Sequence, residues 1–334
     1  MQVMSFIRPI TLGRATVLVL LVCVLLLGYW LWTAPPSAQA GAPLASARAT
    51  GPLALGELMP DQPNFCGEPV PIQDPEVRER FDREFMLNVY DYATITMILK
   101  RLERWKKPML EILTQYDVPA DFLYLMVAES AVRNATSLAG AQGYWQFMPQ
   151  TGLDYGLIQN AYVDERNHPL KSTRAACNYL KSSYKKFGSW TLAAASYNMG
   201  AGGVAYGQQR QGVQGFYQLY LNEETSRYLF RILAYKYILQ HPEQYGYRVP
   251  PSERYQPLAY RTLAVTRSID DLAAWARTQG LDYRTLNWYN PWLKSYSLPV
   301  AAGQRYELWL PLQQPRLGTY RPPADSTPPP QPGG

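Results

Sequence analysis

Glu129 is the residue of the sequence best placed to act as an acid. It stands just beyond the apolar run 122–127, and the spacing of that run predicts a helix that begins after residues 118–121. A carboxylate among apolar side chains is costly unless it has a partner or takes up a proton, so burial raises its pKa. A lone glutamate in a helix is nevertheless more often structural than catalytic. Its role therefore depends on the residues around it.

A second segment supplies groups that suit a sugar. Residues 140–149 read Gly-Ala-Gln-Gly-Tyr-Trp-Gln-Phe-Met-Pro, so the amide of Gln146 lies among bulky aromatic and apolar side chains. Glycines allow the backbone to approach a ligand closely, and aromatic faces suit the apolar faces of sugar rings. The two segments together predict a carboxylic acid in the wall of a carbohydrate-binding cleft.

Several motifs, in order along the chain, resemble those of the soluble lytic transglycosylase (SLT) domain of peptidoglycan-cleaving enzymes. They are Glu129-Ser130, residues 143–149, Ser196-Tyr197-Asn198 and residues 224–228, and the resemblance covers about residues 66–245. Ser196 departs from the family, which usually has Ala there. The resemblance implies a goose-lysozyme-like fold with Glu129 as the single acid and base. It also implies glycan contacts for Ser130, Gln146, Met148, Tyr197, Asn198 and Tyr228, although packing in the core is an alternative for the two tyrosines.

The resemblance also implies a reaction. The glutamic acid protonates the glycosidic oxygen between N-acetylmuramic acid and N-acetylglucosamine, and then accepts the proton of the sugar's C6 hydroxyl, which attacks to give a 1,6-anhydro end. Ordinary glycosidases need two carboxylates. The sequence near Glu129 offers Asp121, Asp154, Asp164 and Glu165, none of them within a matching motif. A lysozyme-type muramidase that uses water, and a non-catalytic peptidoglycan-binding scaffold, are the alternatives.

Composition excludes several other classes of protein. The sequence has 334 residues with 47% hydrophobic residues and a net charge of +6, which predicts two domains and a mild preference for an anionic matrix. Without a basic nucleic-acid motif, no nucleic-acid partner is expected, and protein partners are not indicated. His168 and His241 are the only histidines, so a His-built metal site or a Ser-His-Asp triad is not expected, and no cofactor is implied.

The N-terminal segment, residues 1–40, predicts export of the protein. Arg8 and Arg14 precede an uncharged apolar run, residues 15–32, that is close to the roughly 20 residues needed to span a bilayer. We interpret this run as an anchor in the inner membrane that leaves the body of the protein in the periplasm. The alternative is secretion after cleavage near Ala40. Residues 41–65 are rich in Ala, Pro and Gly and predict a flexible linker.

The remaining chain predicts a mainly α fold: a lysozyme-like all-α catalytic domain followed by a small α+β module. Within the catalytic domain, residues 66–245, helices are expected from Asp74-Pro75 onwards, at 93–105, 108–116 and 122–130, from Ser172 onwards, and at 191–198 and 222–240. Residues 255–312 have the order strand, helix, helix, strand, which resembles a LysM module. Residues 313–334 are rich in Pro and predict a disordered tail.

The usual Gly-Asp-Thr turn of a LysM module is replaced here by Thr266-Arg267-Ser268. Glycan binding and a purely structural role for the module therefore both stay open. Its apolar pattern predicts a core made of Leu263, Val265, Leu272, Trp275, Leu286, Trp288 and Leu308.

Overall fold

The computed structural model describes residues 59–313. The predicted membrane anchor and the predicted tail beyond residue 313 lie outside the described residues. Within residues 59–313, no helix is both long enough and apolar enough to cross a membrane.

The first and larger part of this range, the helical domain, carries seven α-helices and two short strand pairs. Its helices are α1 Pro75–Val89, α2 Tyr92–Gln115, α3 Phe122–Ser130, α4 Pro149–Asp154, α5 Pro169–Phe187, α6 Trp190–Gln211 and α7 Glu223–Gln240. The strands β1 Asn64–Phe65 and β2 Glu68–Pro69 pair antiparallel, as do β3 Ala135–Thr136 and β4 Gln142–Gly143. The predicted mainly α fold is confirmed. Cys66 and Cys177 are free thiols.

Helix α3 occupies the middle of the helical domain because it is apolar on every side. Residues 122–127 are all buried, and the helix packs against α7 and α2. A helix without a polar face can be stable only when it is surrounded by other elements. The end of α3 is therefore held in place from several directions.

Helix α2 is continuous through Pro108, so the prediction of two separate helices in this region is wrong. A proline inside a helix removes one backbone hydrogen bond and is usually disruptive. Here the buried residues Trp105, Met109 and Ile112 lie on both sides of Pro108. Burial of this continuous apolar stripe outweighs the lost hydrogen bond.

Helix α6 is divided by Gly200, which has φ +81° and ψ 146° and so interrupts the helical backbone. The alanine-rich half before Gly200 was predicted, and the half that continues to Gln211 was not. Only glycine adopts such a conformation readily. The break places Tyr197 and Asn198 at the end of the first half, where their side chains can face a cavity.

The C-terminal module has the predicted order of elements: strand β5 Tyr260–Val265, helices α8 Leu272–Thr278 and α9 Tyr283–Tyr289, and strand β6 Tyr306–Pro311. The strands pair antiparallel, with Tyr260 opposite Pro311 and Val265 opposite Tyr306. The module has its own apolar cluster, which includes Val265, Leu272, Leu286, Trp292 and Leu308.

Trp288 does not belong to that cluster, and its predicted burial is wrong. Half of its surface (50%) is exposed. The buried face of α9 is formed by Thr285, Leu286 and Tyr289, and at helical spacing Trp288 falls outside this stripe. Leu263 and Trp275, also predicted as core, are only partly buried.

The module is fixed to the helical domain by main-chain and aromatic contacts. The Asp164 amide donates to the Trp292 carbonyl at 2.8 Å, and the Lys294 amide donates to the Tyr162 carbonyl at 2.8 Å. Trp309 of β6 stacks on Tyr260 and joins the apolar core of the helical domain rather than that of the module. Because of these contacts, the module is docked against the helical domain and is not connected to it by the chain alone.

Candidate functional site

Glu129 lies in the last turn of α3, directly before a strained stretch of backbone. Ala131 and Val132 both have positive φ, at 48° and 57°. A left-handed conformation is unfavourable for Ala and an outlier for a β-branched residue such as Val. Such strain persists only where the surrounding structure imposes it, and it is frequent at functional sites. Here it ends α3 immediately after Glu129 and Ser130.

The surroundings of Glu129 favour a carboxyl group that can hold a proton at neutral pH. Burial raises its pKa to about 7, and the nearby charge of Glu224 acts in the same direction. The hydroxyl of Tyr228 donates a hydrogen bond to Glu129, and this bond and the charge of Arg231 oppose the rise. With a pKa in this range, both the protonated and the ionised form are accessible near neutral pH. Glu129 can therefore both donate and accept a proton.

Tyr228 comes from helix α7 and is itself buried. Burial and the adjacent Glu129 carboxylate raise the pKa of Tyr228 well above its usual value, so the phenol keeps its proton and acts as a donor. The structure thus brings Tyr228 against Glu129, across 99 residues of sequence. Direct contact between Tyr228 and glycan remains a prediction.

The segment that carries Gln146 is held by Arg166. The Arg166 guanidinium forms two bonds to Asp164, at 3.0 and 2.7 Å, and donates to the carbonyls of Gly140 and Phe147 at 2.9 and 3.1 Å. All four hydrogen bonds are made by a side chain that is almost fully buried. Arg166 therefore fixes both ends of the segment to one ion pair.

The structure shows why the middle of this segment requires a glycine at position 143. Its φ is +86°, and a Cβ at this position would lie 1.9 Å from the Arg166 carbonyl oxygen. No residue with a side chain can replace it without movement of the backbone. The Gln146 amide then donates to the carbonyls of Ala135 and Gly143, at 3.0 and 2.7 Å, which fixes its orientation.

A cavity of about 240 Å³ lies beside this segment. Four of the residues predicted to contact glycan line it: Gln146, Met148, Tyr197 and Asn198. The Tyr197 hydroxyl donates to the Trp145 carbonyl at 2.8 Å, so this tyrosine also supports the wall of the cavity. Met148 is 44% exposed and presents an apolar surface. The cavity offers amide groups and apolar faces together, as a sugar ring requires.

Ser130 is placed differently from the other predicted contact residues. It is buried, and its hydroxyl donates to the Met126 carbonyl, one turn earlier in α3, at 3.2 Å. It is not among the residues that line the 240 Å³ cavity. A contact between Ser130 and glycan therefore stays a prediction, and it would require the hydroxyl to rotate away from the Met126 carbonyl.

The four carboxylates considered from the sequence are engaged elsewhere. Asp121 pairs with Lys236, Asp154 accepts from Gln150, Asp164 pairs with Arg166, and Glu165 pairs with Lys171.

The carboxylate that does influence Glu129 is Glu224, which lies on α7 one turn before Tyr228 and was not singled out from the sequence. The Asn198 amide donates to Glu224 at 3.4 Å, and the Asn198 oxygen accepts from Thr225 at 2.7 Å. Only its place in the motif 224–228 could have drawn attention to it.

Comparison with known proteins agrees with this architecture. Residues 109–219 match the family model of the transglycosylase SLT domain, and residues 261–314 match that of the soluble lytic transglycosylase C-terminal LysM-like domain. The predicted resemblance to the SLT domain and to a LysM module is confirmed.

Two curated relatives illustrate the range of similarity. Membrane-bound lytic murein transglycosylase D of Escherichia coli is 34% identical over 196 residues, which cover 57% of this chain and 42% of that protein. A putative tributyltin chloride resistance protein of Alteromonas sp. is 31% identical over 90 residues, which cover 26% of this chain and 44% of that protein. The chain thus spans less than half the length of these relatives. Residues 109–219 are thus similar to a transglycosylase SLT domain, and residues 261–314 are similar to the LysM-like C-terminal domain of soluble lytic transglycosylases.

Proposed function

We propose that this protein is a lytic transglycosylase that cleaves the glycan strands of peptidoglycan. The observation that carries the proposal is the state of Glu129: a partly buried carboxyl group with a pKa of about 7 and a hydrogen bond from Tyr228. A general acid is most effective when its pKa lies near the working pH. The SLT match and the name of the E. coli relative support glycan strands as the substrate.

The proposed reaction uses Glu129 twice. Protonated Glu129 gives its proton to the oxygen of the bond between N-acetylmuramic acid and N-acetylglucosamine, and that C–O bond breaks. The N-acetyl group of the muramic acid supports the positive charge at the anomeric carbon. Glu129, now a carboxylate, takes the proton of the C6 hydroxyl, and the oxygen of that hydroxyl forms the new bond to the anomeric carbon. The product has a 1,6-anhydro end, and no water is consumed.

Tyr228 and the cavity residues support this reaction in different ways. The Tyr228 hydroxyl stabilises the carboxylate that exists between the two proton transfers. Gln146, Asn198, Tyr197 and Met148 hold the sugar rings beside Glu129. Because Arg166 and Gly143 fix the Gln146 segment, these contacts are preformed and cost little ordering on binding.

Mass spectrometry of the fragments released from purified sacculi tests the proposal. An anhydro end supports transglycosylation, whereas a reducing end, heavier by one water, would show a muramidase that hydrolyses the bond. Glu129→Gln keeps the shape of the side chain but cannot exchange the proton, so it should abolish release of either product. Release that continued near the wild-type rate would show that Glu129 is not the acid.

Hydrolysis is the second candidate because one feature of the site favours it. Glu224 supplies a second carboxylate whose charge acts on Glu129, and a hydrolytic glycosidase needs such a residue to activate water. If fragments carry reducing ends and Glu224→Gln abolishes their release, the protein is a hydrolase.

We further propose that the catalytic domain spans residues 66–245 and the LysM-like module residues 255–312. Both would lie in the periplasm, with residues 15–32 as an anchor in the inner membrane. The E. coli relative is named as membrane-bound. Retention of the full chain in washed inner membranes, and an N-terminus near Met1, would support the anchor; an N-terminus at Gly41 would show cleavage instead.

A further inference from the structure

A second cavity lies between the helical domain and the LysM-like module. Its volume is about 220 Å³, and residues of both parts line it. The helical domain and the following connection contribute Arg104, Trp105, Asn134, Tyr144 and Leu258, and the module contributes Asn287, Trp288, Tyr289 and Pro291. None of these residues lines the cavity beside Gln146, so the two cavities are distinct. Ligand sites are frequent at such junctions between domains.

The walls of this junction cavity are fixed. Asn290, at the end of α9, donates to the Trp309 carbonyl at 2.8 Å and accepts from the Trp309 amide at 2.7 Å. The main-chain bond between Asp164 and Trp292 holds the following residues to the helical domain. The cavity therefore exists before any ligand arrives, and a ligand would not have to bring the two parts together.

Trp288 is the unusual member of the wall. A tryptophan has the largest apolar surface of any side chain, yet half of this one is exposed, outside the core of the module. The Arg104 guanidinium lies 5.2 Å from its ring centre and 5.4 Å from that of Tyr255, which holds the indole in place. An exposed, immobilised aromatic ring next to a cavity is typical of sites that stack a flat apolar face.

The polar groups of the cavity limit the ligand to one that is neutral or anionic. Arg104 is the only charged side chain among the lining residues, and Asn134 and Asn287 present amides from opposite parts of the protein. Aromatic faces together with amides suit a pyranose ring, which has apolar faces and a rim of hydroxyl groups. The volume is below the usual range for drug-sized ligands, about 300–1,000 Å³, and is suited to one small ring.

The junction cavity is also connected with the candidate active site through one segment. Tyr144 lines the junction cavity, whereas Gln146, Phe147 and Met148 line the cavity beside Gln146, whose wall also includes Tyr197, a residue that the charge of Glu129 reaches. A single long polymer could therefore touch both cavities, while a short fragment could occupy only one.

We propose that the junction cavity is a second binding site for a sugar ring of the glycan strand, with Trp288 as its stacking surface and Asn134 as a hydrogen-bonding partner. This proposal rests on the proposed function for the choice of polymer. It assigns the module a role in glycan binding through its interface with the helical domain.

The test uses the full chain with Glu129→Gln, so that the polymer is not cleaved during the measurement. Binding is measured to glycan strands from which the stem peptides have been removed. Trp288→Ala should weaken binding about five- to tenfold, as expected for truncation of one aromatic anchor. Asn134→Ala should weaken it about two- to fivefold, as expected for one hydrogen bond. Asn134 is exposed and outside the helices and strands, so its loss leaves the fold intact.

Tyr296→Ala is the matched control. Tyr296 is another exposed aromatic residue of the module (67%), and it does not line the junction cavity. Trp288→Phe should restore most of the binding, which a general loss of stability would not explain. In the active protein, Trp288→Ala should leave the cleavage of short soluble fragments unchanged and slow only the cleavage of long strands.

Equal binding by the Trp288→Ala, Asn134→Ala and Tyr296→Ala variants would overturn the proposal. An effect that is present on intact peptidoglycan but absent on peptide-free strands would also overturn it, because the ligand would then be the stem peptide. If the protein released no fragments but Trp288→Ala still lowered binding, the proposed function would fail while the site would stand.

Discussion

Tyr228→Phe provides the sharpest test of how the site controls Glu129. The substitution removes one hydroxyl and retains the ring that packs in the core. That hydroxyl donates to the Glu129 carboxylate and lowers its pKa, against the rise caused by burial. Without it the pKa of Glu129 must rise above about 7.

The size of the change follows from the strength of the bond. A hydrogen bond to a charged group contributes about 1.5–3 kcal/mol. Because Glu129 is partly exposed to solvent, we take the lower value, which corresponds to a shift of about one pKa unit. The proposed reaction begins with protonated Glu129, so we expect activity to be lost as pH rises through this pKa. The alkaline limb of the pH–rate profile should therefore move to higher pH by about one unit.

The assay is the pH dependence of kcat/KM for the cleavage of a soluble glycan fragment. Tyr235→Phe is the matched control, because Tyr235 is a buried tyrosine of the same helix. Its profile should keep the position of the wild-type limb. A Tyr228→Phe limb that stays in place, or moves to lower pH, would refute the assignment of this limb to Glu129.

Three further predictions concern stability. Because the folded pKa of Glu129 is raised from 4.5 to about 7, folding binds a proton between these values and stability falls as pH rises through them. The free energy of unfolding of the Glu129→Gln variant should thus exceed that of the wild type by up to about 3 kcal/mol at pH 8 but by little at pH 4, as measured by urea unfolding. Ala131→Gly should stabilise the protein by about 0.5–1 kcal/mol by relieving the positive φ, whereas Ala128→Gly, inside the helix, should cost about 1 kcal/mol. Gly143→Ala should cost about 3 kcal/mol or more, since its Cβ meets the Arg166 carbonyl; unchanged unfolding would contradict this close contact.

The elements that carry Glu129 could be predicted from the sequence because their signals are local. The uninterrupted apolar run 122–127 indicates a buried helix, and Asp74 followed by Pro75 indicates a helix start, where Asp74 indeed accepts from the amides of Glu76 and Val77. The alternating strands β5 and β6 were equally clear. In each case a few neighbouring residues determine the structure.

Other features depend on partners that are distant in the sequence. The ion pair of Asp164 and Arg166 holds the Gln146 segment only because the chain returns there after residue 155, and no periodicity marks it. The continuity of α2 through Pro108 depends on the core that buries both of its halves. The influence of Glu224 on Glu129 likewise depends on how α7 packs against α3. Such effects arise from tertiary packing and could not be read from local pattern.

The position of Trp309 has a consequence for the order in which the protein matures. Trp309 lies in the last strand of the described range, yet its ring completes the core of the helical domain. Its neighbour His168 packs edge-on against it at 4.8 Å, close to the residues that tie down the Gln146 segment. Synthesis proceeds from the N-terminus, and early domains generally fold first. A nascent chain that ends before Trp309 therefore already contains Glu129 but lacks part of the packing beneath its cleft, so a premature stop would yield a loosened protein rather than a shortened but intact one.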